Sequence, residues 1–167
     1  MIDEVARVRA ALDAIGIEYE LVACDPELAD TAVFCEHYGY PPENSANALL
    51  IKGKRAGQRR YVLCIVLADN RLDVNHVVRQ KLDVRRISFA SAEETREMTG
   101  MELGGVTPVA IPEELPVWVD ARVMKRDYVI LGCGNRSGKI IVSPALFGKT
   151  ANTEIVEGLA LPMEPGQ

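Results

Sequence analysis

The stretch NALLIKGKRAGQRRYVLCIVLA, residues 47–68, decides the fold that the sequence predicts. Two apolar runs, residues 47–52 and 60–68, flank a polar segment that contains glycine. Apolar runs of strand length on either side of such a segment are typical of a β-hairpin. We therefore expect a pair of neighbouring strands here, and the rest of the fold is interpreted around it.

Helical periodicity and capping residues place helices on both sides of this hairpin. Residues 2–15 carry apolar side chains at steps of three and four, and Gly16 suits the left-handed position that ends a helix. Asp30 is of a type that caps helices, and Ser91 with Glu94 has the pattern of a capping box. The predicted helices cover residues 2–15, 30–38, 73–82 and 91–99, with short ones after residues 120 and 143.

Short apolar segments predict further strands at residues 19–23, 86–89, 117–119, 127–131 and 139–143, and a turn at 104–108 leads into another at 109–111. About eight strands alternate with about five helices, too irregularly for a doubly wound parallel sheet. The predicted class is α/β (α+β), with a curved, mixed, barrel-like sheet and helices packed outside it.

Composition places the chain among ordinary globular proteins, since 48% of its 167 residues are apolar and 26% are charged. The longest apolar run has the length of a strand and is too short to cross a membrane. The N-terminus lacks the apolar core of a signal peptide. We expect a cytoplasmic protein of one domain, residues 1–167, with no membrane contact and a loose tail after about residue 162.

The net charge of −5 argues against a broad nucleic-acid-binding surface, which is usually basic. Positive charge is nevertheless concentrated in one short segment, at Lys52, Lys54, Arg55, Arg59 and Arg60. Such a cluster is either a solvated face or a local contact for phosphate groups, and the sequence leaves both readings open.

Two glycine-rich loops, residues 104–108 (GGVTP) and 132–138 (GCGNRSG), are the candidate ligand-binding segments. The spacing in the second loop fits neither a P-loop nor a dinucleotide fingerprint. Each loop has a purely connecting interpretation, as a turn between strands. Each also has a functional one, because glycine lets backbone N–H groups approach a carbonyl or phosphate closely.

Residues for nucleophilic or metal-dependent catalysis do not form a pattern in the sequence. Cys35 and His37 are two residues apart on a predicted helix, so they do not share a face, and His76 has no evident partner. No CxxC pair indicates a metal site. The sequence therefore predicts a pocket with backbone donors and no evident triad.

Several segments in order carry a family resemblance. They are LLIK at 49–52, ADNRLD at 68–73, SAEE at 91–94, GGVTP at 104–108, residues 117–120, the 132–139 segment and Ser143-Pro144. Over about residues 3–150 the chain resembles the YbaK/ProX family, the free-standing relatives of the editing domain inserted in bacterial prolyl-tRNA synthetases. The resemblance implies an aminoacyl-tRNA deacylase that hydrolyses the ester of a mischarged tRNA at its 3′ end, without a metal or organic cofactor.

The resemblance also implies where the site lies. The catalytic positions are Asn47, Gly104 and Gly105, with the acyl carbonyl held by backbone donors near the two glycines. The substrate-binding positions are Thr31, Thr107, Pro108, Ala110, Gly132, Gly134 and Asn135. The tRNA and the amino acid that the protein would act on do not follow from the sequence, and neither does its oligomeric state.

The chain departs from the family pattern at two of these positions. The family usually has a lysine where this sequence has Asn47, and Lys52 does not substitute for it because residues five apart on a strand point to opposite faces. Ala110 stands where the family often has glycine. A catalytically inactive family member that binds tRNA or an aminoacyl group is therefore the alternative to the deacylase.

Overall fold

The computed structural model describes residues 3–163, which form a mixed α+β fold. The α-helices are α1 (Glu4–Ile15), α2 (Thr31–Tyr38), α3 (Arg79–Leu82) and α4 (Ala92–Thr99). The strands are β1 (Tyr19–Ala23), β2 (Ala46–Arg55), β3 (Gln58–Leu67), β4 (Asn70–Leu72), β5 (Arg86–Phe89), β6 (Val117–Asp120), β7 (Val129–Gly132), β8 (Gly138–Val142), β9 (Thr153–Val156) and β10 (Ala160–Pro162). Within the described residues no helix has the length and apolar character needed to cross a bilayer.

The predicted hairpin is confirmed as the centre of the largest sheet. Strands β2 and β3 pair antiparallel over their full length, from Ala46 opposite Leu67 to Arg55 opposite Gln58. The sheet order is β5-β2-β3-β6-β9, and β6 and β9 join it in parallel. The sheet is therefore mixed, as predicted.

A second sheet has the order β1-β8-β7, and β10 pairs with β4 in a two-stranded ribbon. A single bridge between Ser45 and Ile130 connects the start of β2 to β7. In the part of the chain that the structure describes, none of these sheets closes on itself. Closure into a barrel therefore stays a prediction.

The main apolar core lies between the two larger sheets and includes α1. Val8 and Leu12 of α1 are fully buried, together with Leu63 and Ile65 of β3 and Leu131 of β7. The opposite face of the β2–β3 hairpin forms a second core with α3. A smaller third cluster gathers around Phe34 of α2. The first turn of α2 meets the start of β2 through the hydrogen bond between Thr31 and Asn47.

Several local predictions differ from the structure. Residues 109–111 form bends instead of a strand, while β4, β9 and β10 were not predicted. The helix predicted from residue 73 begins as a π-helical turn, Val74–Val78, before α3. The tail predicted to be loose begins after about residue 162, where β10 ends, and its last four residues, 164–167, lie outside the described residues, as does the start of the first predicted helix at residue 2.

Candidate active site

A cleft of about 180 Å³ lies where the start of β2, the first turn of α2 and the two glycine loops meet. Its lining residues are Ala29, Asp30, Thr31, Ala46, Asn47, Ala48, Leu49, Leu103, Gly104, Val106, Gly132 and Lys139. Four predicted site residues, Thr31, Asn47, Gly104 and Gly132, are thus brought together from distant parts of the sequence. The cleft is small, and half of its lining residues are alanine, leucine or valine.

Asn47 and Thr31 form the polar wall of the cleft. The Thr31 hydroxyl donates to Asn47 Oδ1 at 2.9 Å, which fixes the amide. This bond uses the oxygen and leaves the Nδ2 protons of Asn47 without a partner among residues 3–163. The structure therefore presents an oriented, neutral hydrogen-bond donor at this position.

The two glycine loops are docked against each other through their backbones. Gly134 N–H donates to Gly105 O at 2.7 Å, and Glu102 N–H donates to Gly134 O at 3.0 Å. A Cβ built on Gly105 would lie 2.6 Å from Asn135 Cα, and one on Gly132 would lie 2.5 Å from Gly105 O. Glycine is required at both positions because the chains touch there.

Gly105 is not an available donor in this structure. Its N–H donates to Glu102 O at 2.8 Å, closing a turn before the cleft. The expectation of unpaired N–H groups at both glycines of the 104–108 loop is therefore wrong for Gly105. Gly104 is exposed, has a φ of +91° and has no backbone partner for its N–H within the described residues. Gly104 thus remains the one candidate backbone donor of the predicted pair.

Five other predicted substrate-binding residues lie outside the cleft lining. Thr107 and Pro108 are buried behind it, and the Thr107 hydroxyl has no hydrogen-bond partner. Ala110 is half-buried against the main core with a φ of +60°. Gly134 is buried in the loop contact, and Asn135 turns inward so that its Oδ1 accepts from Ser137 N–H at 2.9 Å. Their positions support the loops that form the cleft.

Lys139 is a cleft residue that the sequence analysis did not identify. It lies on β8, is only 7% exposed, and places its ammonium 5.7 Å from the centre of the Phe34 ring. Burial lowers the pKa of this lysine. The available signal was a lysine at the head of an otherwise apolar strand, KIIV, directly after a glycine loop.

Asp30 supplies the one carboxylate at the cleft rim, and it is already paired. Its side chain does not cap α2, contrary to the prediction. Instead Asp30 Oδ1 accepts from Arg136 Nη1 at 3.1 Å, and Arg136 also donates through Nε to Pro26 O at 3.1 Å. Arg136 therefore ties the 132–138 loop to the segment before α2.

The cysteines are buried thiols. Burial raises the pKa of Cys24, Cys35, Cys64 and Cys133, which keeps them protonated at neutral pH and makes them poor nucleophiles. Among residues 3–163 no group of three or more His, Cys, Asp or Glu side chains converges in a metal-binding arrangement.

Three members of the predicted basic cluster have protein partners. Lys52 Nζ lies 2.7 Å from Glu94 Oε1. This contact, together with the hydrogen bond that the Ser91 N–H donates to Glu94, lowers the pKa of Glu94 to about 2. Arg55 and Arg60 both pair with Asp83, and Arg60 also donates to Leu82 O at 3.0 Å. These three cations are used within the fold.

Residues 25–149, three quarters of the chain, match the model of the aminoacyl-tRNA editing domain. The chain belongs to the aminoacyl-tRNA editing domain family. It is 27% identical over 151 residues to the multifunctional Ser/Thr-tRNA deacylase ProXp-y of Escherichia coli K12, covering 90% of this chain and 89% of that protein.

Two further similarities are to a proline–tRNA ligase and to a solved structure. A proline–tRNA ligase of Bacillus licheniformis is 36% identical over 86 residues, which is 51% of this chain but 14% of that much longer enzyme. The crystal structure of a protein proposed as a trans-editing enzyme for prolyl-tRNA synthetase superposes with a TM-score of 0.80 at 21% identity, over 98% of this chain and 99% of its own. At that identity the superposition shows a shared fold.

Proposed function

We propose that this protein is an aminoacyl-tRNA deacylase that hydrolyses the ester of a mischarged tRNA. The observation that carries the proposal is the cleft itself, which is lined both by Asn47, held by Thr31, and by the exposed Gly104. Membership of the editing family supports it, as does the similarity to the E. coli Ser/Thr-tRNA deacylase.

The proposed reaction places the aminoacyl ester carbonyl between two neutral donors. Asn47 Nδ2 and the Gly104 N–H stabilise the charge that develops on the carbonyl oxygen, as an oxyanion hole does. Water adds to the carbonyl carbon and the bond to the ribose oxygen breaks. The products are the free amino acid and a tRNA with its hydroxyl restored. The substrate itself brings a vicinal ribose hydroxyl to this site, so the protein contributes mainly positioning.

The size of the cleft favours small aminoacyl groups. A volume of about 180 Å³ must hold both the aminoacyl side chain and the edge of the terminal ribose. The alanines at 46 and 48 leave room for the substrate, whereas Leu49 and Val106 limit it. A pocket of this kind excludes large side chains by overlap and discriminates weakly among small ones.

Lys54 and Arg59 are the members of the basic cluster that we propose contact tRNA phosphates. They lie opposite each other in the β2–β3 register, and Arg86 of β5 lies opposite Lys54 on the other side. All three are exposed and have no ion-pair partner among residues 3–163. Like charges directly opposite in a sheet are destabilising, so an anion bound across this row relieves their repulsion.

The test is release of amino acid from a panel of mischarged tRNAs, with tRNA-Pro carrying Ala or Cys and tRNAs carrying Ser or Thr included. We expect Asn47→Ala and Thr31→Val to lower turnover at least tenfold, and Asn75→Ala, on an exposed surface away from the cleft, to leave it unchanged. Saturable tRNA binding without release on any substrate would contradict the deacylase and favour the inactive binding module.

A further inference from the structure

Lys139 carries the one positive charge in the cleft lining of the described residues, and the proposed chemistry does not use it. Its side chain lines the cleft and is 7% exposed, yet within residues 3–163 its ammonium has no hydrogen bond or ion pair. Partial removal of an ammonium from water without an anionic partner is costly. A fold that keeps one at the wall of a cleft indicates that a ligand brings the missing charge.

The neighbouring groups do not provide that charge. The titratable groups around the ammonium are Cys24, Cys35, Cys133, Arg136 and Asp30. The three thiols are protonated at neutral pH, Arg136 is a cation, and the Asp30 carboxylate is engaged by Arg136 at 3.1 Å. The Phe34 ring, 5.7 Å from Nζ, stabilises a cation without neutralising it.

We propose that the Lys139 ammonium binds a negatively charged oxygen of the substrate in this cleft. The inference rests on the proposed function, and it gives the site a cation from β8 at a point where β2 presents the neutral Asn47. Two substrate oxygens have the required chemistry. One is the oxyanion that forms on the ester carbonyl, and the other belongs to the phosphate on the 5′ side of the terminal adenosine.

The first experiment uses the natural protein and needs no turnover. The pKa of the Lys139 ammonium is followed by NMR of its Cε and Nζ with adenosine, with AMP, and with a phosphonate analogue of an aminoacyl-adenosine ester. We expect the pKa to rise with at least one anionic probe and not with adenosine. AMP alone indicates the phosphate, and the phosphonate alone indicates the oxyanion. Failure of both anions to bind, or binding that shifts the Thr31 and Asn47 signals but not the Lys139 pKa, would overturn the proposal.

The second experiment moves the charge. Lys139→Met preserves side-chain length and apolar packing, and Lys149→Met, at an exposed lysine, is the matched control. We expect Lys139→Met to lower kcat/KM for a mischarged tRNA at least tenfold and Lys149→Met to stay within twofold. The double variant Asn47→Lys/Lys139→Met should recover part of the loss. By contrast, Asn47→Lys alone should lower activity, because it crowds two cations.

The NMR and kinetic experiments also distinguish a failure of the proposed deacylase function from a failure of the proposed role of Lys139. Loss in kcat assigns the oxyanion, whereas a raised KM with a smaller salt dependence assigns the phosphate. A natural protein that releases no amino acid but shows the Lys139 pKa rise would refute the deacylase and keep the anion site. A Lys139→Met variant as active as Lys149→Met would refute the role of Lys139 and keep the deacylase.

Discussion

Gly105→Ala is predicted to destabilise the protein through the contact between the two glycine loops. The added Cβ would lie within 2.6 Å of backbone atoms of Asn135, which cannot move aside as a flexible side chain can. Forced overpacking costs about 1–3 kcal/mol. If the loops separate, the Gly134–Gly105 hydrogen bond of 2.7 Å is lost as well, at about 1 kcal/mol. The free energy of unfolding should therefore fall by about 2–4 kcal/mol.

Urea unfolding at neutral pH measures this change directly, and Gly148→Ala is the matched control. Gly148 has no heavy atom within 4 Å of its ideal Cβ and no positive φ, so its variant should stay within about 0.5 kcal/mol of the natural protein. In a chain of this size the Gly105→Ala loss corresponds to about 4–16 °C in Tm. A Gly105→Ala protein as stable as Gly148→Ala would refute the docked-loop reasoning. Activity lost in Gly105→Ala would accordingly say nothing about an N–H donor.

Three further predictions concern other parts of the chain. Ala110→Gly should change the free energy of unfolding by less than about 0.5 kcal/mol, because relief of the left-handed φ of +60° offsets the extra backbone entropy of glycine in the unfolded chain. The control Ala10→Gly, at an exposed position in the middle of α1, should lower the free energy of unfolding by about 1 kcal/mol, measured with urea. The pKa of Glu94 is about 2, so its ion pair stabilises the fold above about pH 4.5 and this stabilisation is lost as pH falls toward 2. Glu94→Gln should therefore flatten the dependence on pH of the free energy of unfolding, measured with urea, over that range. Replacing Lys54 and Arg59 by Gln should reduce the slope of log K for tRNA binding against log salt by about 1.4–1.8; an unchanged slope would exclude them as phosphate contacts.

The elements fixed by local signals could be predicted from the sequence. Gly57 and its polar neighbours determine the turn between β2 and β3, and the apolar pattern then sets the register. Ser91 and Glu94 form the predicted capping box, and α4 ends at Gly100 in the left-handed conformation. In each case the residues that determine the structure are within a few positions of one another.

Elements that depend on distant partners could not be predicted in the same way. Strand β9, TEIV, is half-exposed and has two polar residues followed by two apolar ones, without the alternation of a half-buried strand, and it becomes a strand by parallel pairing with β6. Nothing near residue 153 specifies that pairing. The Gly105 amide shows the same limit at the site. The sequence identifies the glycine, but whether its N–H is free to bind a ligand depends on the turn in which that N–H donates to Glu102 O.

The charge of the cleft is the clearest case of this limit. The resemblance places the family lysine at position 47, on β2, where this chain has asparagine. The cleft, however, is assembled from two sheets, and β8 delivers Lys139 to the space that Asn47 and Gly104 also line. The electrostatic character of the site depends on which side chains share that space and not on which strand supplies them. The neutral residue at 47 therefore does not by itself indicate an inactive protein, since a cation from β8 can meet the same oxygen. Whether Lys139 meets it is decided by the rise or constancy of its pKa when an anionic substrate analogue binds.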